Sequence, residues 1–380
     1  MSIRRLCEFG SLMPEGDLNP ARAAEAARFG RGFLRDIWYF AALSGDLRPG
    51  KLQRYELLGE PILLGRRGDG AVYALRDICP HRAAPLSAGR LVRESDGGEE
   101  AVECPYHGWR FSTDGVCSAI PSMVEGQSVD VSRIRVRRYP VAESQGMVFV
   151  WMGSDGRGEA EPDQPPPIFP GVVGGAPKLV DRMLFDAHID HAVIGLMDPA
   201  HGPYVHQNWW WRSPASQHDK AKAFEPREMG FAMARHAPSK NSYAYKILGG
   251  APRTEIVFRL PGLRWEHIEV GERQVLSLTC LTPITDTRTR ITQIMWSDHW
   301  AFTLLKPIIA SGARKFLRQD AAMVNLQNEG LVYDPSLIWI DDADRQAKWY
   351  QALKREWAAS RRDGRAFVNP VEGGVLRWRS

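Results

Sequence analysis

The chain has 380 residues, 44% of them apolar and 25% charged, and its 49 basic against 45 acidic side chains give a formal net charge of +4. That length accommodates two domains, and so mild and diffuse a positive charge argues against nucleic acid as a partner. Five cysteines (Cys7, Cys79, Cys104, Cys117, Cys280) are too few, and odd in number, for a disulfide-stapled secreted protein.

Residues 1–36 read as a polar leader with a short Ala-rich helix around Ala21–Arg28. Its opening, "MSIRRLCEFGSLMPEGDLNP", lacks the apolar core of a signal peptide. No apolar run anywhere reaches the ~18 residues of a transmembrane segment, so a cytoplasmic location is expected. Residues 37–154 show short β-rich runs cut by Gly, Pro and Asp, such as "PILLGRR" into "GAVYALRD". In "RVRRYPVAESQGMVFVWMG" the "SQG" separates two apolar runs as a hairpin turn would. A small antiparallel sandwich or barrel is expected. Residues 155–178, rich in Pro and Gly, read as a linker.

Residues 179–380 form the second predicted domain. "HAVIGLMDPAHGPYVHQ" reads as a helix, followed by strands at "YAYKIL", "TEIVFRL", "LRWEHIEV", "QVLSLTCLTPI" and "RITQIMWSDHW". Leu276, Leu278 and Cys280 alternate with more polar residues, the pattern of a half-buried strand. A long helix about Thr303 to Glu329 follows. Trp296, Trp300 and Trp339 are expected in the core. The class is α+β, an antiparallel sheet with helices covering one face.

Two stretches carry metal chemistry. "DICPHRAAPLSAGR" holds Cys79 and His81, and "VECPYHGWRFSTDG" holds Cys104 and His107. A zinc finger draws two cysteines from one knuckle and two histidines from one helix; here each loop supplies one of each. Two opposed loops of this kind place both thiolates on one metal and both imidazoles on another, the ligand set of a Rieske [2Fe–2S] cluster. The alternative is a structural zinc. Cys7, Cys117 and Cys280 need no role beyond that of small apolar side chains.

"CPHRAAPLSAGR" with "CPYHGWRFSTDGVC" resembles the Rieske domain of the Rieske non-haem iron oxygenases. The interval between His81 and Cys104 is longer than usual for that family, and "RESDGGEE" within it reads as an exposed hairpin extension.

In "LMDPAHGPYVHQNWWWR", Asp198 and His201 share a helical face. His206, five residues on, would lie ~140° away on a regular helix. Gly202-Pro203 between them offers a break that could bring the two histidines together. A facial triad needs a carboxylate as well. Asp320, on the apolar stripe of Phe316, Leu317 and Val324, is the candidate, with a buried salt bridge as the alternative. His188 and His191, with Asp186 or Asp190, are rival ligands, better read as helix-start residues. Asn208 to Trp211 is either pocket lining or packing.

This Asp-x-x-His-x-x-x-x-His pattern with a late Asp also looks like the same family's catalytic domain. The resemblance implies a helix-grip (START/Bet v1-like) fold and a mononuclear Fe(II) on His201, His206 and Asp320. It implies that Asp198 bridges to a Rieske histidine of a neighbouring subunit in a head-to-tail homotrimer. Gly195 stands where relatives often carry Asn near the iron.

No strand-then-GxGxxG fingerprint is present, so NAD(P)H electrons are expected through a separate reductase, with or without a ferredoxin. Arg82 and Arg90 are candidate docking residues for an acidic donor. "CPYHGWRFSTDGVC" and "DPAHGPYVH" are similar to the branch of vanillate and dicamba O-demethylases and pheophorbide a oxygenase. The resemblance implies hydroxylation or oxidative O- or N-demethylation of an aromatic or alicyclic small molecule. The alternatives are cis-dihydroxylation of a ring and, in another class, a Rieske electron carrier without oxygenase activity.

Overall fold

A computed structural model describes residues 26–93, 99–127, 129–155, 160–172, 175–206, 217–238 and 248–380. Residues 35–167 form one compact unit; Ile168–Ser380 and the segment ending at Leu34 form a second.

The first unit holds three small antiparallel sheets. Strand β1 (Trp38–Leu43) lies with β10 (Val141–Ser144) and β11 (Met147–Trp151) in the order β1-β11-β10. Every residue of "WYFAAL" and of "MVFVW" is buried, so β1 and β11 are core on both faces, while β10 is a partly exposed edge. The expected "SQG" hairpin is present. Ser144 pairs with Met147 across Gln145 and Gly146, whose φ values of 52° and 76° match what a two-residue hairpin loop requires. A second sheet joins β2 (Leu52–Leu57), β3 (Glu60–Arg66), β4 (Val72–Arg76) and β9 (Arg138–Tyr139). The third joins β5 (Arg90–Arg93), β6 (Glu100–Glu103), β7 (Arg110–Ser112) and β8 (Cys117–Ala119). Arg93 pairs with Glu100, so "RESDGGEE" does join two hairpin strands, although 94–98 lie outside the described residues.

The second unit is built on one eight-stranded antiparallel sheet. Its strands are β12 (Leu179–Phe185), β13 (Asp219–Arg227), β14 (Gly230–His236), β15 (Arg253–Arg259), β16 (Leu263–Val270), β17 (Arg273–Thr285), β18 (Arg288–Ser297) and β19 (Gly374–Arg379). They run in the order β12-β18-β17-β16-β15-β14-β13-β19. The described helices are α1 (Ile189–Met197), α2 (Gly202–Val205), α3 (Trp300–Leu304), α4 (Lys306–Leu331) and α5 (Arg345–Arg362). Helix α5 lays Trp349 against Phe224 and Phe231, and Tyr350 against Phe258, which covers β13–β15. Among the described residues no helix is long and apolar enough to cross a membrane.

Several expectations need correction. The helix expected through 191–207 is two helices. Asp198 ends α1 in extended conformation (ψ 121°), the conformation favoured before a proline. Gly202-Pro203 opens α2 instead of breaking a helix, because a first-turn residue has no intrahelical N–H bond to lose. Strand β17 is not half-buried: Leu276, Leu278 and Cys280 are buried, and so are Ser277 and Thr279 on the other face. Trp296 is core, whereas Trp300 is 58% exposed and Trp339 half-buried. "YAYKI" and the Ala21–Glu25 part of the leader helix lie outside the described residues, as do Asn208–Trp211.

A buried ion pair fixes α1 to the segment before Leu34. Lys354 Nζ donates to Asp190 Oδ2 at 2.5 Å, Tyr350 OH to Oδ1 at 2.6 Å, and Gly30 N to Oδ2 at 2.7 Å. Lys354 also donates to the carbonyls of Arg28 and Arg31. His188 caps α1 by accepting from Asp190 N, its other ring nitrogen meeting Gly32 O at 3.0 Å. His191 packs edge-on against Phe29. Both histidines are structural, and neither joins a metal-ligating group among the described residues.

Candidate metal centres

The two Cys-His loops of the first unit are built alike. Loop one precedes β5 and loop two joins β6 to β7. In each, the cysteine N–H donates to the carbonyl five residues on: Cys79 to Ala84, Cys104 to Trp109, at 2.9 and 2.8 Å. Each cysteine carbonyl accepts from the residue four on, Ala83 and Gly108, at 2.9 and 3.1 Å. Both of those residues have positive φ, 57° and 70°, which turns the chain back sharply. Close approach of the loops is enforced at Gly89, where a Cβ would lie 2.0 Å from Glu103 O. Buried Asp77 accepts from Ser87 N and Oγ at 2.7 and 2.6 Å and from Arg54, closing loop one on itself.

Cys79 and Cys104 are buried in one apolar cluster with Leu86, Phe111 and Cys117. Burial pushes the Cys79 thiol up to about 11, so a thiolate there needs a cation to hold it. The His81 and His107 rings lie 4.5 Å apart, and His81 stacks on Trp109. Burial, then His107 and Arg82, lower the His81 pKa, which favours the neutral imidazole that a metal binds. His107 Nδ1 is buried and has no hydrogen-bond partner among the described residues. Two buried thiols beside two imidazoles, one with an orphaned nitrogen, fit a cluster. Of the two arginines expected to face a donor, Arg82 lies over the exposed Tyr106 ring and Arg90 is paired with Glu103.

In the second unit, His201, His206 and Asp320 come together. His201 Nε2 lies 3.0 Å from His206 Nε2, His206 Nε2 3.1 Å from Asp320 Oδ1, and His201 Nε2 3.5 Å from the same oxygen. Ligand bonds of about 2.1 Å at right angles would separate neighbouring ligand atoms by about 3.0 Å, so two edges of the triangle match one face of an octahedron and the third is longer. His201 caps the start of α2, and His206, leaving helical geometry at ψ 47°, caps its end. Asp320 comes from α4, on a face where Leu317 and Val324 are buried.

The tautomers sharpen the reading. His206 Nδ1 meets Gln319 Oε1 at 3.1 Å, and an amide oxygen only accepts. Nδ1 therefore carries the proton and Nε2 presents a lone pair. His201 Nδ1 lies 3.7 Å from Asp198 Oδ2 and has no hydrogen-bond partner among the described residues. Burial lowers the His201 pKa and raises that of Asp198. His201 Nε2 can donate to that lone pair, or, with its proton on Nδ1, complete with His206 Nε2 and Asp320 Oδ1 a set of three acceptors that fits a cation. These three are a group that could hold a metal ion. Gln319 was missed in the sequence; its signal was adjacency to Asp320 on the α4 stripe.

The triad opens on a cavity of about 920 Å³ within the second unit, between α4 and the sheet strands β13–β18. Ile309, Ala313 and Phe316 of α4 face it, as do Phe231, Phe258 and Ile268 of the sheet. Gly195 leaves room beside α4: a Cβ there would meet Val324 at 3.2 Å.

Two family models match the chain. Residues 37–140 match the Rieske [2Fe-2S] domain, and residues 185–359 match the vanillate O-demethylase oxygenase C-terminal domain. The chain belongs to the Rieske non-haem iron oxygenases. Among curated members of this family, the dicamba O-demethylase oxygenase component of Stenotrophomonas maltophilia is 36% identical over 179 residues, which cover 46% of this chain and 48% of that one. Chlorophyllide a oxygenase of Chlamydomonas reinhardtii is 34% identical over 209 residues, 52% of this chain and 30% of that one. The chain thus spans between about a third and a half of these relatives' lengths. A crystal structure of dicamba monooxygenase bound to dicamba shares the fold, with a TM-score of 0.68 at 24% identity, covering 86% of this chain and 99% of that one.

Proposed function

We propose that this Rieske oxygenase is the terminal component of a multi-component system that uses O2 to hydroxylate, or oxidatively O- or N-demethylate, an aromatic or alicyclic small molecule. The convergence of His201, His206 and Asp320 on one point at the wall of a large apolar cavity carries the reading. In it, Cys79 and Cys104 hold one iron of a [2Fe–2S] cluster and His81 and His107 the other, while the triad holds a mononuclear Fe(II). When bound, the cluster supplies electrons one at a time and the mononuclear iron supplies reductive activation of O2.

The chain's own residues do the rest. Gln319 fixes the His206 tautomer, as outer-shell partners of metal-bound histidines do. Asp198, held by Ala200 N at 2.7 Å, faces the His201 ring nitrogen remote from the ligand position. It is the candidate bridge for the incoming electron, and in a head-to-tail homotrimer it would face a neighbour's Rieske histidine. The apolar cavity walls exclude water from the reacting face. Monooxygenation is favoured over cis-dihydroxylation by the match to the vanillate O-demethylase catalytic domain. Electrons come from NAD(P)H through a separate reductase, with or without a ferredoxin. Among the described residues the cysteines form no disulfide, in keeping with a reducing, cytoplasmic location.

His206→Ala tests the reading. The visible cluster spectrum should survive and product formation should stop, with iron falling from roughly three to two atoms per chain. Turnover retained at the lower iron content would remove His206 from the site. Wild-type protein with only the cluster's iron and no product from methoxylated aromatics, free arenes or sterols would favour the electron carrier instead.

A further inference from the structure

The sheet contributes to the same cavity a polar row that the chemistry above leaves unused. Arg264 of β16 pairs across the strands with Thr279 of β17, and Thr279 with Gln293 of β18. Directly opposed residues project to one face of a sheet, about 5 Å apart, and all three line the cavity. Gln293 Nε2 donates to Ser277 Oγ at 3.3 Å, in the next row of that face. Gln293 Oε1 is buried and has no partner among the described residues.

Arg264 has no ion pair or side-chain hydrogen bond among the described residues. The acid beside it on this face, Glu266, accepts from Thr254 Oγ1 at 2.9 Å. The cavity's other two cations are already engaged, Lys220 with Ser380 Oγ at 2.8 Å and Lys222 with Ala237 O at 3.3 Å. A guanidinium facing mostly apolar walls carries a desolvation cost that an anion at its planar fork offsets.

We propose that Arg264, at the end of a row with Thr279 and Gln293, anchors an oxyanion of the substrate, which is an apolar ring system bearing one carboxylate-type group. The anchor rests on reading this cavity as the oxygenase's substrate site. It adds a specificity rule: the oxyanion is held by the sheet, and the carbon presented to His201, His206 and Asp320 is set by its distance from that group. The product keeps the oxyanion, so acid-bearing products leave against the same contact.

The test is binding without turnover. Metal-loaded, oxidised protein is titrated under argon with 1-pyrenebutyrate and with its uncharged methyl ester, followed by pyrene fluorescence. Wild type should bind the acid more tightly than the ester. Arg264→Met should weaken the acid by about 10- to 100-fold, the size of a lost charge-assisted hydrogen bond, with the ester within about twofold. Arg264→Lys should fall between. Gln293→Glu, which keeps the shape and sets a carboxylate in the same row as Arg264, should weaken the acid and spare the ester even if Arg264→Met does not fold. Equal losses for acid and ester, no preference in the wild type, or binding of neither overturns the proposal. Acid preference lost in Arg264→Met without product from any substrate leaves the anchor standing and defeats the oxygenase reading. Turnover of neutral substrates with no acid preference does the reverse.

Discussion

Lys354→Met should destabilise the second unit far more than a single surface ion pair could. The Lys354 and Asp190 side chains are 2% and 0% exposed and meet at 2.5 Å. Removing one partner of a buried pair costs ~3–5 kcal/mol, because the other charge stays buried. Tyr350 and Gly30 still donate to Asp190, which argues for the lower end. Against that, the carbonyls of Arg28 and Arg31 lose a donor, adding ~1 kcal/mol. The sum is about 4 kcal/mol. For a unit of this size each kcal/mol shifts Tm by ~2–4 °C, so the drop is about 8–16 °C. Calorimetry measures it, and the visible band of the cluster reports the other unit separately. Adding Asp190→Asn should recover part of the loss by removing the stranded charge. A drop under about 3 °C, or a double variant less stable than the sum of the singles, would refute the buried-charge reasoning.

Burial lowers the His191 pKa to about 4 from 6.5, and lowers that of His188 as well. A depressed histidine contributes stability that is present above 6.5 and lost as pH falls toward 4, at up to ~3 kcal/mol for His191; His191→Phe should flatten that slope in urea titrations between pH 4 and 6.5, with His188 supplying what remains. Gln319→Leu removes the acceptor that fixes the His206 tautomer and should weaken iron binding at the triad by about 10- to 100-fold, read by competition with a chelator while the cluster spectrum holds; unchanged affinity would make Gln319 a packing residue. Cys104→Ser should abolish the visible cluster absorption and leave the β12–β19 sheet melting as in the wild type, whereas a surviving chromophore would exclude Cys104 as a ligand.

What could be read in advance tracks how local the signal is. The matched loops were legible because Cys79, His81, Cys104 and His107 are chemical rarities set close together. Strands β15 to β18 were legible from β-branched and apolar runs at "TEIVFRL" through "RITQIMW". Helix α5 was not, because "RQAKWYQALKREWAASRR" scatters charged side chains among its apolar ones. Its buried stripe of Trp349, Tyr350, Leu353 and Trp357 emerges only once a sheet exists to receive it. The half-buried reading of β17 failed for a related reason. Alternation of Leu276, Leu278 and Cys280 with Ser277 and Thr279 looks like a core face and a water face. Here the polar face looks into the cavity beside α4, and a ligand pocket and solvent select the same residue types.

The histidine pair shows how a spacing wrong for one face of a helix still brings two ring nitrogens together. Five residues on a continuous helix would set His201 and His206 about 140° apart. The chain avoids this by making the helix between them a single turn. Pro199 forces Asp198 into extended conformation and ends α1. Pro203 starts α2 at no hydrogen-bond cost. His206 then leaves helical geometry at ψ 47° while His201 keeps it, and the two ring nitrogens come within 3.0 Å. The two prolines flank His201, and the same break places Asp198 at the C-terminus of α1 with its carboxylate 3.7 Å from the remote His201 nitrogen. One local interruption therefore sets both the ligand pair and the residue proposed to carry charge into it.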